Sequence, residues 1–274
     1  MEDVPEAHQL LAALHVLDDR LDDACREREL AFRGYRDRGD LASAARVAID
    51  LAQVHEGLLG NRAAGLGWLE RARRLLGTVG PCVEWGYFEL AFIACYRDDV
   101  TALLAAADRA LQIAVEFADP DLEALALADG GLALVAGGRV ADGFRRLDEA
   151  MVIVMAGEVQ DPNTAGLSFC SMLSSCDLTG DVARVDEWSR IIRRSVVDPL
   201  GGRPKVLHTH CLLAWGSVLS AAGRWDEAET VMLEALGPSA SRSSGHRAAT
   251  SARLAMLRIE RGRLEEATEL LAPF

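Results

Sequence analysis

Residues 212–238 read LLAWGSVLSAAGRWDEAETVMLEALGP, and this stretch decides the fold. Leu212, Leu219 and Met232 are large apolar residues at helical spacing, on two runs separated by Gly223. Small residues, Gly216 and Ala228, sit where two antiparallel helices would cross, and small side chains there let the backbones approach. Gly223 ends the first helix, because glycine accepts the left-handed conformation that stops one. Pro238 closes the phrase. The reading is a helix hairpin with one apolar seam.

The same offsets recur. Leu127, Gly131, Leu134, Gly138, Val140, Gly143, Leu147 and Ala150 repeat the phrase, and so do Leu254, Ala255, Gly262, Leu264, Ala267 and Leu271. Weaker copies centre on Asp19, Gly60, Asp98 and Gly180, so the seven turn markers 19, 60, 98, 138, 180, 223 and 262 lie 38 to 43 residues apart. The phrase follows the tetratricopeptide pattern, whose minimal repeat is about 34 residues. One hairpin cannot cover its own apolar face, so hairpins stack into an array with a concave surface. The fold expected is all-α: a right-handed α-solenoid of about seven tetratricopeptide-like helix hairpins, a single array over 1–274. Its units are 5–40, 41–80, 82–118, 120–157, 162–199, 205–238 and 246–274. Linkers are expected at Gly77 to Pro81, Gly157 to Asn163, Asp198 to Pro204 and Gly237 to Gly245, each rich in Pro, Gly, Ser or Asn.

Composition agrees. Half of the 274 residues are hydrophobic but only 5% aromatic, and residues that lose little on entering a helix dominate. The formal net charge is −13, from 42 acidic and 29 basic residues. So acidic a chain repels a phosphate backbone, and no basic cluster with interleaved aromatics offsets that, so nucleic acid is not expected as a partner. The start, Met1-Glu2-Asp3-Val4-Pro5, lacks the basic and apolar regions of a signal peptide. No stretch approaches the roughly 20 apolar residues of a membrane span. Six scattered cysteines (25, 82, 95, 170, 176, 211) without CxxC spacing read as reduced thiols in a cytoplasmic protein. No polar cap follows Leu271-Ala272-Pro273-Phe274, so a longer chain, a partner or a second copy in a homodimer is expected to cover that end.

Three phrases carry a family resemblance: Gly67-Trp68-Leu69-Glu70-Arg71-Ala72-Arg73-Arg74-Leu75-Leu76, Gly131-Leu132-Ala133-Leu134-Val135-Ala136-Gly137-Gly138-Arg139-Val140, and Gly223-Arg224-Trp225-Asp226-Glu227-Ala228-Glu229. In a repeat of about 40 residues, they resemble the helical-repeat region of actinobacterial LuxR-type transcriptional regulators, akin to the sensor arm of the large ATP-dependent maltose-regulator class. In such proteins a DNA-binding helix-turn-helix follows the repeats, and some carry a nucleotide-binding domain before them. This sequence has no GxxxxGK[ST] phosphate loop and no basic recognition helix. The resemblance therefore implies a regulatory sensor or interaction arm, without DNA binding or ATP hydrolysis of its own.

In this repeat class, positions 2, 5, 9, 12 and 13 of each first helix line the groove. They correspond here to Val47, Asp50 and Val54; to Trp85, Phe88, Phe92, Cys95 and Tyr96; and to Leu125, Ala128, Leu132 and Val135. They continue with Leu167, Cys170, Ser174 and Asp177, then His210, Leu213, Ser217 and Ser220. The groove expected is apolar and aromatic, rimmed by Asp50, Glu89, Asp177 and His210, which suits a small apolar molecule or a peptide. The competing reading is that the aromatic stripe packs against the next hairpin as core.

Sharper chemistry has less behind it. Cys170, Cys176, His208, His210 and Cys211 are metal-ligand types on first helices of adjacent repeats, but neighbours among them diverge around a helix. Core cysteines and helix-start histidines are the alternative. A Cys170–His210 nucleophile pair lacks an orienting third group or an oxyanion hole. Acidic pairs such as Asp18-Asp19, Asp22-Asp23 and Asp98-Asp99 sit at turns and helix starts, where they complement the helix dipole. The sequence reads as a non-catalytic binding module without cofactor or metal. A protein–protein adaptor is the alternative, and a metal-binding or Cys/His enzyme a distant third.

Overall fold

Fourteen α-helices and no strand make up the described residues of the computed structural model, which are 4–18, 20–94, 99–192, 205–237 and 244–273. The helices are α1 (Pro5–Leu17), α2 (Leu21–Asp37), α3 (Leu41–Gln53), α4 (Arg62–Val79), α5 (Glu84–Ala94), α6 (Val100–Phe117) and α7 (Pro120–Ala136). They continue with α8 (Val140–Met155), α9 (Pro162–Thr179), α10 (Val182–Ile192), α11 (Lys205–Ala221), α12 (Trp225–Leu236), α13 (Ser244–Glu260) and α14 (Leu264–Leu271). Consecutive helices pack as hairpins: α1 with α2, α3 with α4, α5 with α6, α7 with α8, α11 with α12, and α13 with α14. The chain forms two compact units, 1–168 and 169–274, whose boundary falls within α9.

Local chemistry explains where the helices begin and end. Gly60, Gly138, Gly180, Gly223 and Gly262 all have φ between 66° and 82°, the left-handed conformation at each hairpin turn. The turn markers Asp19 and Asp98 lie outside the described residues. Asp40, Asn61, Asp99 and Asp119 cap the N-termini of α3, α4, α6 and α7, each side chain accepting the backbone N–H of the third residue of its helix. The linker expected at Gly77 to Pro81 is shorter than its composition suggests. α4 runs through Gly77 to Val79, because its last turns keep their backbone bonds up to Gly80 N–H to Leu76 O, 3.2 Å. The linkers expected at Asp198 to Pro204 and Gly237 to Gly245 lie mostly outside the described residues.

The seam within each hairpin is close. A Cβ on Gly131 would lie 2.7 Å from Leu147 Cγ and 2.9 Å from Gly143 O, and one on Gly143 would lie 2.5 Å from Val135 Cγ2. A Cβ on Gly216 would meet Met232 Cγ at 2.7 Å. Around these contacts Leu147, Met151 and Met232 are fully buried. Removing such a side chain costs about 2–5 kcal/mol. In the first unit the core runs on from hairpin to hairpin through Phe32, Ile49, Leu51, Leu69, Leu76 and Leu122. In the second, Leu219, Met232, Leu254 and Leu257 gather in one cluster.

α3 passes directly into a π-helical turn, Val54–Leu58, before Gly60. Such a turn accommodates an extra residue without ending the helix.

Candidate functional site

In the first unit α3, α5 and α7 each pack on the second helix of their own hairpin and on a neighbouring hairpin, and α3 touches α5 as α5 touches α7. That leaves only a narrow strip of each of these three helices open. On α3 the strip carries Arg46, Asp50 and Gln53; on α5, Trp85, Glu89 and Phe92; on α7, Leu125, Asp129 and Leu132. The spacing i, i+4, i+7 keeps the members of each strip on one face. Within α9, Cys170, Ser174 and Asp177 follow the same rule.

The expected groove residues divide accordingly. Trp85, Glu89, Phe92, Leu125, Leu132 and Cys170 are all at least partly open, with Phe92 at 38% exposure. Phe88, Val47, Val54, Ala128 and Val135 do not line the groove: all are buried. The reason is angular. Each is turned about 65° to 95° from the centre of the open strip on its helix, at about 100° per residue, toward the adjoining hairpin, where its methyl or ring surface is removed from water. Tyr96 and Cys95 lie outside the described residues, as do the side chains of His208, His210 and Cys211.

The aromatic stripe is therefore split. Trp85 meets Phe88 edge to face at 5.5 Å, and Phe88 stacks on Phe92 at 5.6 Å. Trp85 also donates from Nε1 to Gly80 O at 3.2 Å, which fixes its ring at the linker. Phe88 is core, Trp85 is half-buried, and Phe92 presents the end of the stripe to solvent.

Each rim carboxylate that is described has an arginine. Arg46 Nε donates to Asp50 at 3.4 Å, Arg109 reaches Glu89 at 2.6 Å, and Arg253 reaches Asp177 at 3.0 Å. Arg46 is the centre of a larger cluster. Its guanidinium lies over the Tyr87 ring, 3.3 Å from the centroid. Tyr87 donates its hydroxyl to Asp119 at 3.0 Å, and Asp119 also accepts Leu122 N–H. Asp121 accepts the backbone N–H groups of Gln160 and Asp161 at 2.9 and 3.0 Å, pinning the linker before α9 onto the start of α7.

These groups shift one another. Burial works against the Arg46 charge, but the Asp50 carboxylate and Tyr87 outweigh it and hold the guanidinium protonated. Burial raises the Asp161 carboxyl above its ordinary range, helped by the Asp50 and Asp121 carboxylates and opposed by Asn163 N–H and Arg46. Burial likewise raises the Tyr87 hydroxyl.

Arg46, Tyr87, Asp119, Asp121 and Asp161 were not among the residues expected from sequence. One signal was present: Asp119-Pro120 and Asp161-Pro162 recur in the same phase of successive repeats. Among the described residues, no group of three or more His, Cys, Asp or Glu side chains is placed to hold a metal ion. Burial, followed by hydrogen bonding to Glu84, pushes the Cys82 thiol up to about 11, and burial also raises Cys25. No helix among the described residues is long and apolar enough to cross a membrane.

No protein-family model matches the chain, and no curated protein matches it. Among solved structures it is similar to a signal transduction ATPase with numerous domains (STAND protein) from Pyrococcus horikoshii that has a tetratricopeptide-repeat sensor. The TM-score is 0.55 at 16% identity, over 100% of this chain and 43% of that one. The likeness is one of fold, a helical-repeat architecture of the tetratricopeptide type. This chain spans less than half the length of that protein.

Proposed function

We propose that the chain is a non-catalytic recognition module that binds a peptide or a small molecule along the open strips of its first helices. One observation carries this reading. On the adjoining helices α5 and α7, the packed faces are buried while Trp85, Phe92, Leu125 and Leu132 stay open beside the acidic Asp129 and the Glu89–Arg109 pair. An apolar surface of this kind with a few fixed charges suits a ligand with an apolar body and a polar tip.

The regulatory role rests on two further supports. The three repeat phrases resemble the sensor arm of LuxR-type regulators, and the solved neighbour carries a tetratricopeptide-repeat sensor in a signal-transduction ATPase. In this reading the module works in the cytoplasm and passes occupancy to an effector domain. A second reading, a protein–protein adaptor, is favoured by α1, which exposes Leu10, Leu11 and Leu14.

Native mass spectrometry of the purified chain, followed by denaturing release, tests the first reading. A retained small molecule or peptide is expected, and it is expected to be lost from a Phe92→Ala, Leu132→Ala double variant of unchanged helicity. Retention by that variant, or an empty wild-type chain that captures a partner protein through α1, would overturn it in favour of the adaptor.

A further inference from the structure

A recess of about 410 Å³ lies on the first unit between α6, α7 and α8, away from the open strips described above. Leu111 and Val115 on α6 and Leu127 and Leu134 on α7 give it an apolar stretch among charged side chains, and Val115 is 65% exposed. The volume falls at the lower end of the range for small-molecule sites.

Its two ends carry opposite charge. The hairpin crosses where Gly131 meets Gly143 and Leu147. On the turn side of that crossing, Arg139 and Arg145 share the single carboxylate of Asp142, at 2.7 and 2.6 Å. Both arginines hold Asp142 below the usual carboxylate range. Arg146 is engaged elsewhere: it passes over Gly130, where a Cβ would lie 2.8 Å from its Nη1, and pairs with Asp108 at 2.7 Å. The turn end is thus left with two guanidinium groups to one carboxylate. Toward the start of α7 the recess is lined by Glu123 and Glu149, neither of which forms an ion pair among the described residues.

A cationic end, an apolar middle and an anionic end lie in sequence along α7 and α8. Asp142 and Glu149 stand two turns of α8 apart, about 10 Å. We propose that this recess is a second ligand site, for a small amphiphile with an anionic group at one end of an aliphatic spacer and a cationic group at the other. The anion displaces neither Asp142 nor Asp108. It takes up the spare donors of Arg139 and Arg145, each of which presents several N–H groups. The cation meets Glu123 and Glu149, and the spacer covers Val115 and Leu127.

Isothermal titration of the whole chain with ω-aminooctanoate, octanoate and octylamine tests this. The zwitterion is expected to saturate one site and to bind at least about threefold more tightly than either single-ended probe, as one solvent-exposed ionic contact implies. Arg145→Gln and Glu123→Gln are each expected to weaken it by about threefold, with helicity unchanged since Arg145 is 75% exposed. Phe92→Ala is expected to leave it alone, which separates this site from the open strips. Equal binding of octanoate or octylamine, full binding by both charge variants, or no saturable binding of ω-aminooctanoate would each overturn the proposal.

Discussion

At the scale of single residues, the molecule depends on positions where nothing larger fits and on charges that share one low-dielectric place. Gly143 is the clearest of the first kind: a methyl group there would press on Val135 Cγ2 at 2.5 Å and on Gly131 O at 2.6 Å. The backbone cannot yield cheaply, so Gly143→Ala is expected to destabilise by about 1–3 kcal/mol in denaturant titration. Asp161 is the clearest of the second kind. Its folded-state pKa stands above the 3.8 of an ordinary aspartate, so the folded protein binds more protons than the unfolded chain just above that pH, and stability falls as pH rises. Asp161→Asn keeps an oxygen to accept Asn163 N–H but removes the buried charge beside Asp50 and Asp121. Its melting temperature relative to wild type is expected to rise between about pH 4 and pH 7. A flat difference across that range would show that Asp161 is not the group responsible.

At the scale of elements, the last two hairpins are tied through a side chain of α12. Glu229 accepts from Arg258 at 3.1 Å and Arg261 at 3.0 Å, and also pairs with Arg263, while only 14% of its side chain is exposed. Hydrogen bonding to Arg263 leads the interactions that hold its carboxyl below the ordinary 4.5. The sign is the reverse of Asp161: this stability is present above pH 4.5 and is lost as pH falls through the lowered folded value. Glu229→Gln is expected to cost about 2 kcal/mol at neutral pH, and the penalty should shrink in acid. Elements were also where sequence reading was strongest. The helix hairpins follow the spacing of glycines 60, 138, 180, 223 and 262, because the left-handed turn and the apolar seam are both local properties of the chain.

At the scale of the whole chain, each hairpin contacts mainly its neighbours, the arrangement in which stability is a sum of local terms. Leu147→Ala, in the fully buried seam of α7 and α8, is expected to cost about 2–5 kcal/mol. Hydrogen exchange should then show amides of 120–155 losing protection while those of α11 to α14 keep theirs. Equal loss throughout would mean that the two compact units unfold together. The amino-acid sequence by itself determined the class of fold and the phase of the repeats, since close-approach residues such as Gly131 and Gly216 act through chain neighbours within one hairpin. It named Trp85, Phe92, Leu125 and Leu132 as candidate groove residues, but left open whether the aromatic stripe is groove or core. Only the tertiary structure decided that Phe88, four residues from Phe92, is core, and that Val47 and Val135 are too. It alone brought Arg46, Tyr87, Asp121 and Asp161 together from separate hairpins, and it alone left Glu123 and Arg145 at opposite ends of one recess. Exposure and charge pairing depend on what the next hairpin covers, and that is a property of packing between repeats.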